Sequence, residues 1–404
     1  MPGPLHGVRV VDFSAVVSGP WAAMWLADQG ADVIKIESPG LGDITRGMAI
    51  GPDHHGLNGL FVNCNRGKRS VVVDVNTPEG RQIVLDIAKT ADVFIQNWRP
   101  GVVDRLGLGY DGIRAVRPDV IYVSISGYGP DGPYADRRVY DPIIQGLSGH
   151  VAVQINPEIP FHDLVRTIVC DKATAMAAAQ SVCASLFARD RGAGGQHLVI
   201  PMLDTAISFF FPDGYMAKAL LDDELADVRP TLAKSYRITR TADGHVIYFV
   251  ASGAEFHALY RALGRHDWID DPHYGEAPGR QKHLAELGAA IIEEFEKWNT
   301  AEIYARMVEE QVPCGPVLNL DDLPNDPQII HNDVLNVRIH PAIGRVLEPR
   351  QPVRFSVTQP DQTPLAPQFG EHTDQVLAEF GFDAAAIADL KARGVAKQWP
   401  KSEQ

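Results

Sequence analysis

The feature that most constrains the fold is a strand–turn–helix pattern that recurs along the first third of the chain. Val8 to Phe13 is typical of a buried strand, Ser18-Gly19-Pro20 of a turn with proline at the first helical position, and Trp21 to Gln29 of a helix. Similar elements follow: strands at Asp32 to Ile36, Ser70 to Asp74, Asp92 to Ile95 and Asp119 to Ser126, and a helix opened by Thr77-Pro78-Glu79. Apolar strands that alternate with helices are typical of a parallel sheet covered on both faces. The pattern predicts an α/β fold with a Rossmann-like, doubly wound large domain.

The pattern changes near Asp222. Tyr236 to Thr239 and His245 to Val250, joined by the turn Ala242-Asp243-Gly244, predict a β-hairpin, and helical stretches follow. We therefore expect a smaller α+β domain over 222–330, a usual domain size, after an N-terminal part over 1–221. The remaining segment, 331–404, has short strands, proline-rich turns and a last pair of helices.

Charge and cysteine content narrow the classes of partner and the compartment. The 404 residues include 37 basic and 51 acidic side chains, a formal net charge of −14, which argues against a nucleic-acid partner or an anionic membrane surface. No apolar run is long enough to span a membrane, and the N-terminus does not resemble a signal peptide. The four cysteines are scattered without CxxC spacing, as expected of reduced thiols in the cytoplasm: Cys64, Cys170, Cys183 and Cys314.

Several common catalytic and cofactor motifs are absent or lack their context. Two segments match GxGxxG, 107–112 and 127–132, but the first follows a predicted helix and the second contains Pro130 where a phosphate-binding helix would begin. No HxxxH or HExxH occurs, and His54-His55 beside Cys64 has no second thiolate at ligand spacing, so we expect no metal. Ser148 lacks the GxSxG frame of a serine hydrolase.

Asp171 is the most informative single residue. It follows the apolar run Leu164 to Cys170 and precedes the alanine-rich segment Ala173 to Ala188, which predicts a buried helix. At the N-cap of that helix, backbone amides and the helix dipole would lower the pKa of the carboxyl and keep it ionised as a nucleophile or base. Aspartate is also among the commonest structural caps, so this feature leaves both interpretations open.

Read together, several segments resemble the class III CoA-transferases, the family that includes formyl-CoA:oxalate CoA-transferase, carnitine CoA-transferase and, as a branch, α-methylacyl-CoA racemase. The similar segments run from residue 5 to about 378, nearly the whole chain: Leu5-His-Gly-Val-Arg-Val-Val-Asp12, Gly30-Ala-Asp-Val-Ile-Lys-Ile-Glu37, Gly42-Asp-Ile-Thr-Arg46, Asn97-Trp-Arg-Pro-Gly101, Ser126-Gly-Tyr-Gly-Pro-Asp-Gly-Pro133, Pro313-Cys-Gly-Pro-Val317 and Gly370-Glu-His-Thr-Asp374.

The resemblance implies a Rossmann-like large domain built from both chain ends, a small domain between them, and a homodimer of interlocked subunits. It aligns the family's catalytic aspartate with Asp171, whose carboxylate would attack an acyl-CoA thioester and carry first the acyl group and then CoA. A free carboxylic acid would complete the exchange. CoA is then a co-substrate, and no tightly bound cofactor is needed.

The resemblance also suggests CoA contacts. They comprise the backbone of the turn from Val16 to Ser18, the pair Asn97 and Trp98, and the basic residues Arg105 and Arg138. An indole can cover the adenine, while guanidinium groups form charge-assisted hydrogen bonds to phosphates. In the absence of the family, the same residues would be ordinary surface arginines and a core tryptophan.

Tyr140 and Asp141 bear on the choice within the family. Racemase relatives carry a catalytic histidine at the position of Tyr140, and a phenol is a poor substitute for imidazole at neutral pH. Transfer is therefore the main hypothesis. A racemase that uses His150 or His162, and a CoA-ester-binding protein without turnover, stay as alternatives. The chain also has no counterpart of a glycine-rich lid between Ala226 and Tyr248, and Ser38 replaces an arginine, so the acyl group handled need not be oxalyl.

Overall fold

The structure, a computed structural model, describes residues 2–48, 56–154, 162–222 and 236–398. The pair His54-His55 and much of the interval expected to lack a lid, 223–235, lie outside the described residues. The chain divides into two compact units, and the larger one combines both chain ends. The large unit comprises Met1–Pro212 and Asp333–Gln404, and the small unit Asp213–Asn332.

The N-terminal part of the large unit alternates strands and helices as the pattern predicts. Its strands are β1 (Arg9–Phe13), β2 (Asp32–Glu37), β3 (Lys68–Val73), β4 (Val93–Gln96), β5 (Ile121–Ser126) and β6 (Gln196–Pro201). Its helices are α1 (Ser18–Asp28), α2 (Gly59–Asn65), α3 (Pro78–Ala88), α4 (Val102–Arg105), α5 (Tyr110–Val116), α6 (Asp141–Ser148), α7 (His150–Val153), α8 (Val169–Ala188) and α9 (Met202–Gly214), the last of which ends in the small unit.

These strands form one sheet in the order β3-β2-β1-β4-β5-β6, and all of these neighbours are parallel. The predicted parallel, helix-covered sheet is thus confirmed. Apolar clusters lie on both of its faces; Val11 and Phe94 belong to one, and Val10 and Ile95 to the other. This alternation arises because successive strand residues point to opposite faces.

Local sequence explains where several helices begin. The hydroxyl of Thr77 accepts a hydrogen bond from the amide of Gly80 at 3.0 Å, and Pro78 occupies the first position of α3, where no amide is needed. The C-terminal α16 (Ala384–Ala392) begins in the same way, with Asp383 accepting from the amide of Ala386 at 2.8 Å.

The C-terminal segment returns to the sheet of the large unit. Its remaining elements are β10 (Leu335–His340), β11 (Gly344–Pro349), α15 (Thr373–Glu379) and β12 (Ala396–Lys397), and β12 pairs antiparallel with β3. The hydroxyl of Thr373 accepts from the amide of Val72 at 3.0 Å and donates to the carbonyl of Lys397 at 2.8 Å. This threonine, from one of the family-like segments, therefore joins the two chain ends.

The small unit has its own core and an antiparallel sheet. Its strands β7 (Ile238–Arg240), β8 (His245–Tyr248) and β9 (Cys314–Pro316) pair in that order. Its helices are α10 (Gly253–Ala262), α11 (Ala277–Lys282), α12 (Leu284–Phe295), α13 (Thr300–Glu309) and α14 (Pro327–His331). They enclose a cluster around Leu259, Trp268 and Phe295. Within the part of the chain that the structure describes, no helix combines the length and apolar character needed to cross a membrane.

Candidate active site

The strand order identifies where a ligand would bind on the large unit. Connections leave β1 and β4 toward opposite edges of the sheet, so a crevice opens beyond the carboxyl ends of these two strands. The turn 14–18 follows β1, and Asn97 and Trp98 follow β4. The crevice thus brings together two of the segments that the sequence proposed for CoA.

The turn after β1 is held in an unusual conformation. Val16 has a φ of 72°, a left-handed value that is rare for a β-branched residue and costs about 1–3 kcal/mol. The amide of Val16 donates to Asp43 Oδ1 at 3.1 Å. Asn97 clamps the preceding residue, because its side chain accepts from the amide of Ala15 at 2.9 Å and donates to the carbonyl of Ala15 at 2.6 Å. Carboxylate and amide side chains from other loops therefore fix the turn.

A buried ion network lies beneath this turn. The ammonium of Lys35 donates to the carbonyl of Ser14 at 2.9 Å and lies 3.0 Å from Asp43 Oδ2 and 3.6 Å from Asp12 Oδ2. All three charged side chains are buried. Burial by itself lowers the pKa of Lys35, but the two carboxylates outweigh it and raise that pKa above its usual value. Lys35 thus stays charged and joins β2 to the turn.

Asp171 lies in the first turn of α8, and the expectation that it is the N-cap is wrong. The N-cap is Ile168, whose side chain makes no capping hydrogen bond. The capping carboxylate comes from α6: Asp141 Oδ1 accepts from the amides of Cys170 at 2.7 Å and Asp171 at 2.9 Å. Because Asp141 accepts from these amides of the first turn, the side chain of Asp171 is not needed as a cap and faces α1.

The carboxylate of Asp171 is buried, and it faces the backbone amide and the hydroxyl of Ser18, the first residue of α1. Burial, and next the negative charge of Asp141, raise the pKa of Asp171 to about 6, while these two donor groups of Ser18 partly lower it. The expectation of a lowered pKa is therefore wrong, because desolvation exceeds the stabilisation from the helix ends. The group is still ionised at neutral pH.

Gln145 fixes the carboxylate of Asp141. Its side-chain amide donates to Asp141 Oδ2 at 2.6 Å, and its carbonyl oxygen accepts from the amide of Val165 at 2.9 Å. Gln145 is four residues after Asp141, so both lie on one face of α6. Neither Gln145 nor Asp43 is among the site residues predicted from the sequence. An acidic residue two before a threonine, as in Asp43-Ile-Thr45, signals a local cap, and Asp43 does accept from the amide of Thr45 at 3.0 Å.

The proposed CoA contacts lie in different environments. Trp98 is 41% exposed, and its indole N–H donates to the carbonyl of Phe13 at 2.9 Å, so the ring is anchored at the crevice with a free surface. Arg105 ends α4, after β4, and is exposed, as are Arg138 and Tyr140 in the segment before α6. The structure places Trp98 and Asn97 at the crevice and leaves both arginines at the surface.

The geometry of two other candidate sites does not support a function. Among the described residues, one group brings three potential metal ligands within 4.8 Å, namely His273, His283 and Glu286 of the small unit. The two imidazole rings stack in parallel, 4.0 Å apart at 6°, so their in-plane lone pairs do not converge on one ion. The second GxGxxG segment, 127–132, is followed by no helix until α6, unlike a dinucleotide-binding turn.

The charge of Asp141 should set the pH dependence of the site. We expect Asp141→Asn to lower the pKa of Asp171, because the neighbouring negative charge is lost while the amide oxygen can still cap α8. The acidic limb of the kcat/KM profile should then move to lower pH by about 1 pH unit. Asp163→Asn, which removes a carboxylate paired with exposed Arg166, is the matched control and should leave the limb in place. An unchanged limb in Asp141→Asn would rule out this coupling.

Comparison with known proteins agrees with this geometry. The family model described as CoA-transferase family III matches residues 5–373. Succinate–glutarate CoA-transferase of Agrobacterium fabrum is 35% identical over 392 residues, which cover 93% of this chain and 95% of that protein. Succinyl-CoA:glutarate CoA-transferase of Homo sapiens is 31% identical over 402 residues, which cover 98% of this chain and 90% of that protein. The crystal structure of a CAIB/BAIF family protein from Brucella suis has a TM-score of 0.80 at 30% identity, covering 94% of this chain and 100% of that one. The chain belongs to CoA-transferase family III.

Proposed function

We propose that this protein moves CoA from an acyl-CoA to a free carboxylic acid, with Asp171 as the covalent carrier. The observation that carries the proposal is the environment of Asp171: a buried, ionisable carboxylate that faces the N-terminus of α1, next to the crevice between β1 and β4. A dehydrated carboxylate is a stronger nucleophile than one in water, and amides at a helix end favour the negative charge that develops on the attacked carbonyl oxygen.

The reaction proceeds by four balanced exchanges at carbonyl carbon. The Asp171 carboxylate attacks the donor thioester, and the carbon–sulfur bond breaks. CoA departs as its thiolate, and the acyl group and Asp171 are then joined as an acyl-aspartyl anhydride. The thiolate attacks the aspartyl carbonyl and releases the donor acid as its carboxylate, which gives aspartyl-CoA. The acceptor carboxylate then displaces CoA to form a second anhydride. Attack of the thiolate on the acceptor's carbonyl gives the new acyl-CoA and restores Asp171.

Glycine at position 19 keeps the start of α1 available for this chemistry. A Cβ at Gly19 would overlap the side chain of Ser14, so any side chain there would displace the turn. The amides of the first helical turn have no carbonyl partner within the helix. The amide of Ser18 faces Asp171, and the amide of Gly19 is the next donor along the helix for a developing oxyanion.

For CoA itself, we propose that the turn from Val16 to Ser18 and Asn97 line the path of the pantetheine arm and that the adenine covers the exposed surface of Trp98. Arg105 and Arg138 supply positive charge for the phosphates in a chain of net charge −14. Tyr140 and Asp141 support the site, Asp141 through the helix that carries Asp171.

The surroundings of Asp171 favour transfer over α-proton exchange. Tyr140, which replaces the racemase histidine, is 60% exposed. His150 lies with its Nδ1 2.9 Å from the hydroxyl of Ser148, and its ring packs against Phe210, which supports a structural role. His162 is exposed.

We also propose a homodimer, interlocked as the family resemblance implies. Large apolar side chains are exposed on α6, α8 and α9 of the large unit, a concentration that is typical of a surface covered by another copy. They include Ile143, Leu147, Met176, Phe187 and Phe209. The four cysteines are free thiols, in keeping with a reducing cytoplasm.

Intact-protein mass spectrometry tests the proposal. The protein is incubated with a panel of acyl-CoA esters, with succinyl-CoA first because relatives are named for succinyl and glutaryl transfer, and is then trapped with hydroxylamine. We expect an adduct that hydroxylamine removes and that peptide mapping places on Asp171. Bound CoA esters without any adduct would contradict the covalent route. Incorporation of α-deuterium from heavy water, without an acceptor acid, would then support racemisation.

A further inference from the structure

A large cavity lies beside the nucleophile, within the large unit. Its volume is about 580 Å³, within the range of about 300–1,000 Å³ typical of small-molecule sites and well above the need of a formyl or oxalyl group. One face of α1 forms a wall with Trp21 and Trp25, and Leu60 of α2 and Ile168 add further apolar surface. Such walls favour hydrocarbon over water.

The cavity begins at the two elements that hold the reactive carboxylate. Val17, which lines it, immediately precedes Ser18, whose amide and hydroxyl face Asp171. Ile168, the N-cap of α8, and Lys172 in its first turn also line it, and Asp171 lies between them in sequence. The cavity therefore borders the helical turn that carries Asp171.

The charge in the cavity is positive. Three basic residues line it, and none of the described lining residues is acidic. Arg66 is neutralised by a two-pronged ion pair with Asp28, with Nε–Oδ1 and Nη2–Oδ2 distances of 2.9 and 2.6 Å. Arg350 is held by the backbone carbonyls of Gln351 and Pro352, to which it donates at 2.6 and 3.2 Å. The ammonium of Lys172, next to Asp171 in sequence, donates to the hydroxyl of Thr167 at 2.6 Å. An apolar wall with this ammonium suits an amphipathic anion.

We propose that this cavity is the acyl subsite, and that it selects dicarboxylic substrates whose apolar body is larger than the methylene chain of glutarate, with the second carboxylate paired to Lys172. The assignment rests on the proposed function, since it concerns the group that Asp171 transfers. Trp21, Trp25 and Leu60 then act as specificity residues, and Lys172 distinguishes a dicarboxylic acid from a monocarboxylic one.

The test compares kcat/KM for three acceptor acids, with the CoA ester that gives the covalent adduct as donor. Suberate has a long chain and a second carboxylate, octanoate has the same chain length without it, and glutarate has a short chain. For the wild type we expect a gain of about fourfold per added methylene from glutarate to suberate and a preference of about tenfold for suberate over octanoate.

Two variants separate the apolar wall from the charge. Lys172→Met should reduce kcat/KM for suberate about tenfold and change that for octanoate by less than about twofold. Leu60→Trp fills the cavity and should reduce both long acids at least about tenfold while glutarate is spared. Lys89→Met, at the exposed residue that follows α3, and Leu284→Trp, at the exposed first residue of α12 in the small unit, are matched controls that should keep wild-type selectivity. Thermal unfolding midpoints establish that each variant folds.

Each alternative result is decisive. Equal use of suberate and octanoate, or an equal loss of both in Lys172→Met, would overturn the role of Lys172. Unchanged chain-length selectivity in Leu60→Trp would overturn the subsite, and a simultaneous change of oligomeric state would assign the cavity to a second copy of the chain. If the wild type transfers CoA but prefers glutarate, only this inference fails. If it forms no adduct and uses no acid, the proposed function fails with it.

Discussion

Asp171→Asn should lose CoA transfer by at least about 10⁴-fold, because the amide cannot act as the nucleophile that forms the anhydride. The fold should be retained, since asparagine has nearly the shape of aspartate and its amide oxygen can still face the donor groups of Ser18. Steady-state kinetics with the adduct-forming donor measure the loss, and isothermal titration with CoA should show binding within about threefold of the wild type. Turnover above about 1% of the wild-type rate would remove Asp171 from the mechanism.

The same variant should be more stable than the wild type at neutral pH. The pKa of Asp171 is about 6 in the folded protein against about 3.9 in an unfolded chain. Ionisation therefore costs nothing at pH below the unfolded value, increasingly opposes folding as the pH rises between the two values, and reaches its full cost above pH 6. That cost is about 3 kcal/mol, and Asp171→Asn removes it.

Urea unfolding at pH 8 and at pH 3.5 checks this linkage. The gain in the free energy of unfolding should be present at pH 8 and nearly absent at pH 3.5, and Asp163→Asn should show no such gain. An equal effect of Asp171→Asn at both pH values would mean that the native carboxylate is not destabilised by its burial. A gain confined to high pH would identify Asp171 as a site where stability is sacrificed for reactivity.

Lys35→Met should be the most destabilising single change beneath the site. The ammonium is fully buried and is shared by Asp12, Asp43 and the carbonyl of Ser14. Its removal leaves one positive partner, Lys68, for the buried carboxylate of Asp12, and Asp43 loses its ion pair. Breaking a buried ion network on one side costs about 3–5 kcal/mol, so the free energy of unfolding should fall by that amount in urea titrations.

Lys89→Met provides the reference for this change, since Lys89 is exposed and paired only with Asp86 among the described ion pairs. Its effect should stay within about 0.5 kcal/mol. Lys35→Met should also weaken CoA binding, because Lys35 holds the carbonyl of Ser14 and the carboxylate of Asp43, and these two groups position the turn 14–18. A cost below about 1 kcal/mol would show that the network is dispensable for stability.

The arrangement of elements could be predicted from the sequence because each signal is local. Apolar strands such as Val8 to Phe13 alternate with helices whose starts are marked by residues such as Thr77 and Pro78, and the structure has a strand and a helix at both places. These signals act over a few residues, so no knowledge of distant contacts is needed. The parallel pairing of the strands follows from the same units, since strands joined by helical crossovers pair in parallel.

Only part of the candidate site could be predicted from such local signals in the sequence. Asp171 stood out because it precedes an alanine-rich helix, but its position within the first turn and its raised pKa depend on Asp141, thirty residues away in sequence. The acid–base character of a carboxylate is decided by burial and by neighbouring charges, which no local pattern encodes. Likewise, the spacing of Trp21 and Trp25 indicates a core-facing helix, and only the packing of α1, α2 and α8 leaves a cavity there.

By itself, the sequence determined the α/β class and the family and singled out Asp171 as the proposed nucleophile, because periodicity and linear motifs are properties of the chain. The tertiary structure decided how that aspartate is poised. It placed the carboxylate of Asp141 under the first turn of α8, the start of α1 against Asp171, and Lys35 beneath the strained turn at Val16. These groups lie far apart along the chain, and their electrostatic effects arise only when folding removes water and brings them within hydrogen-bonding distance.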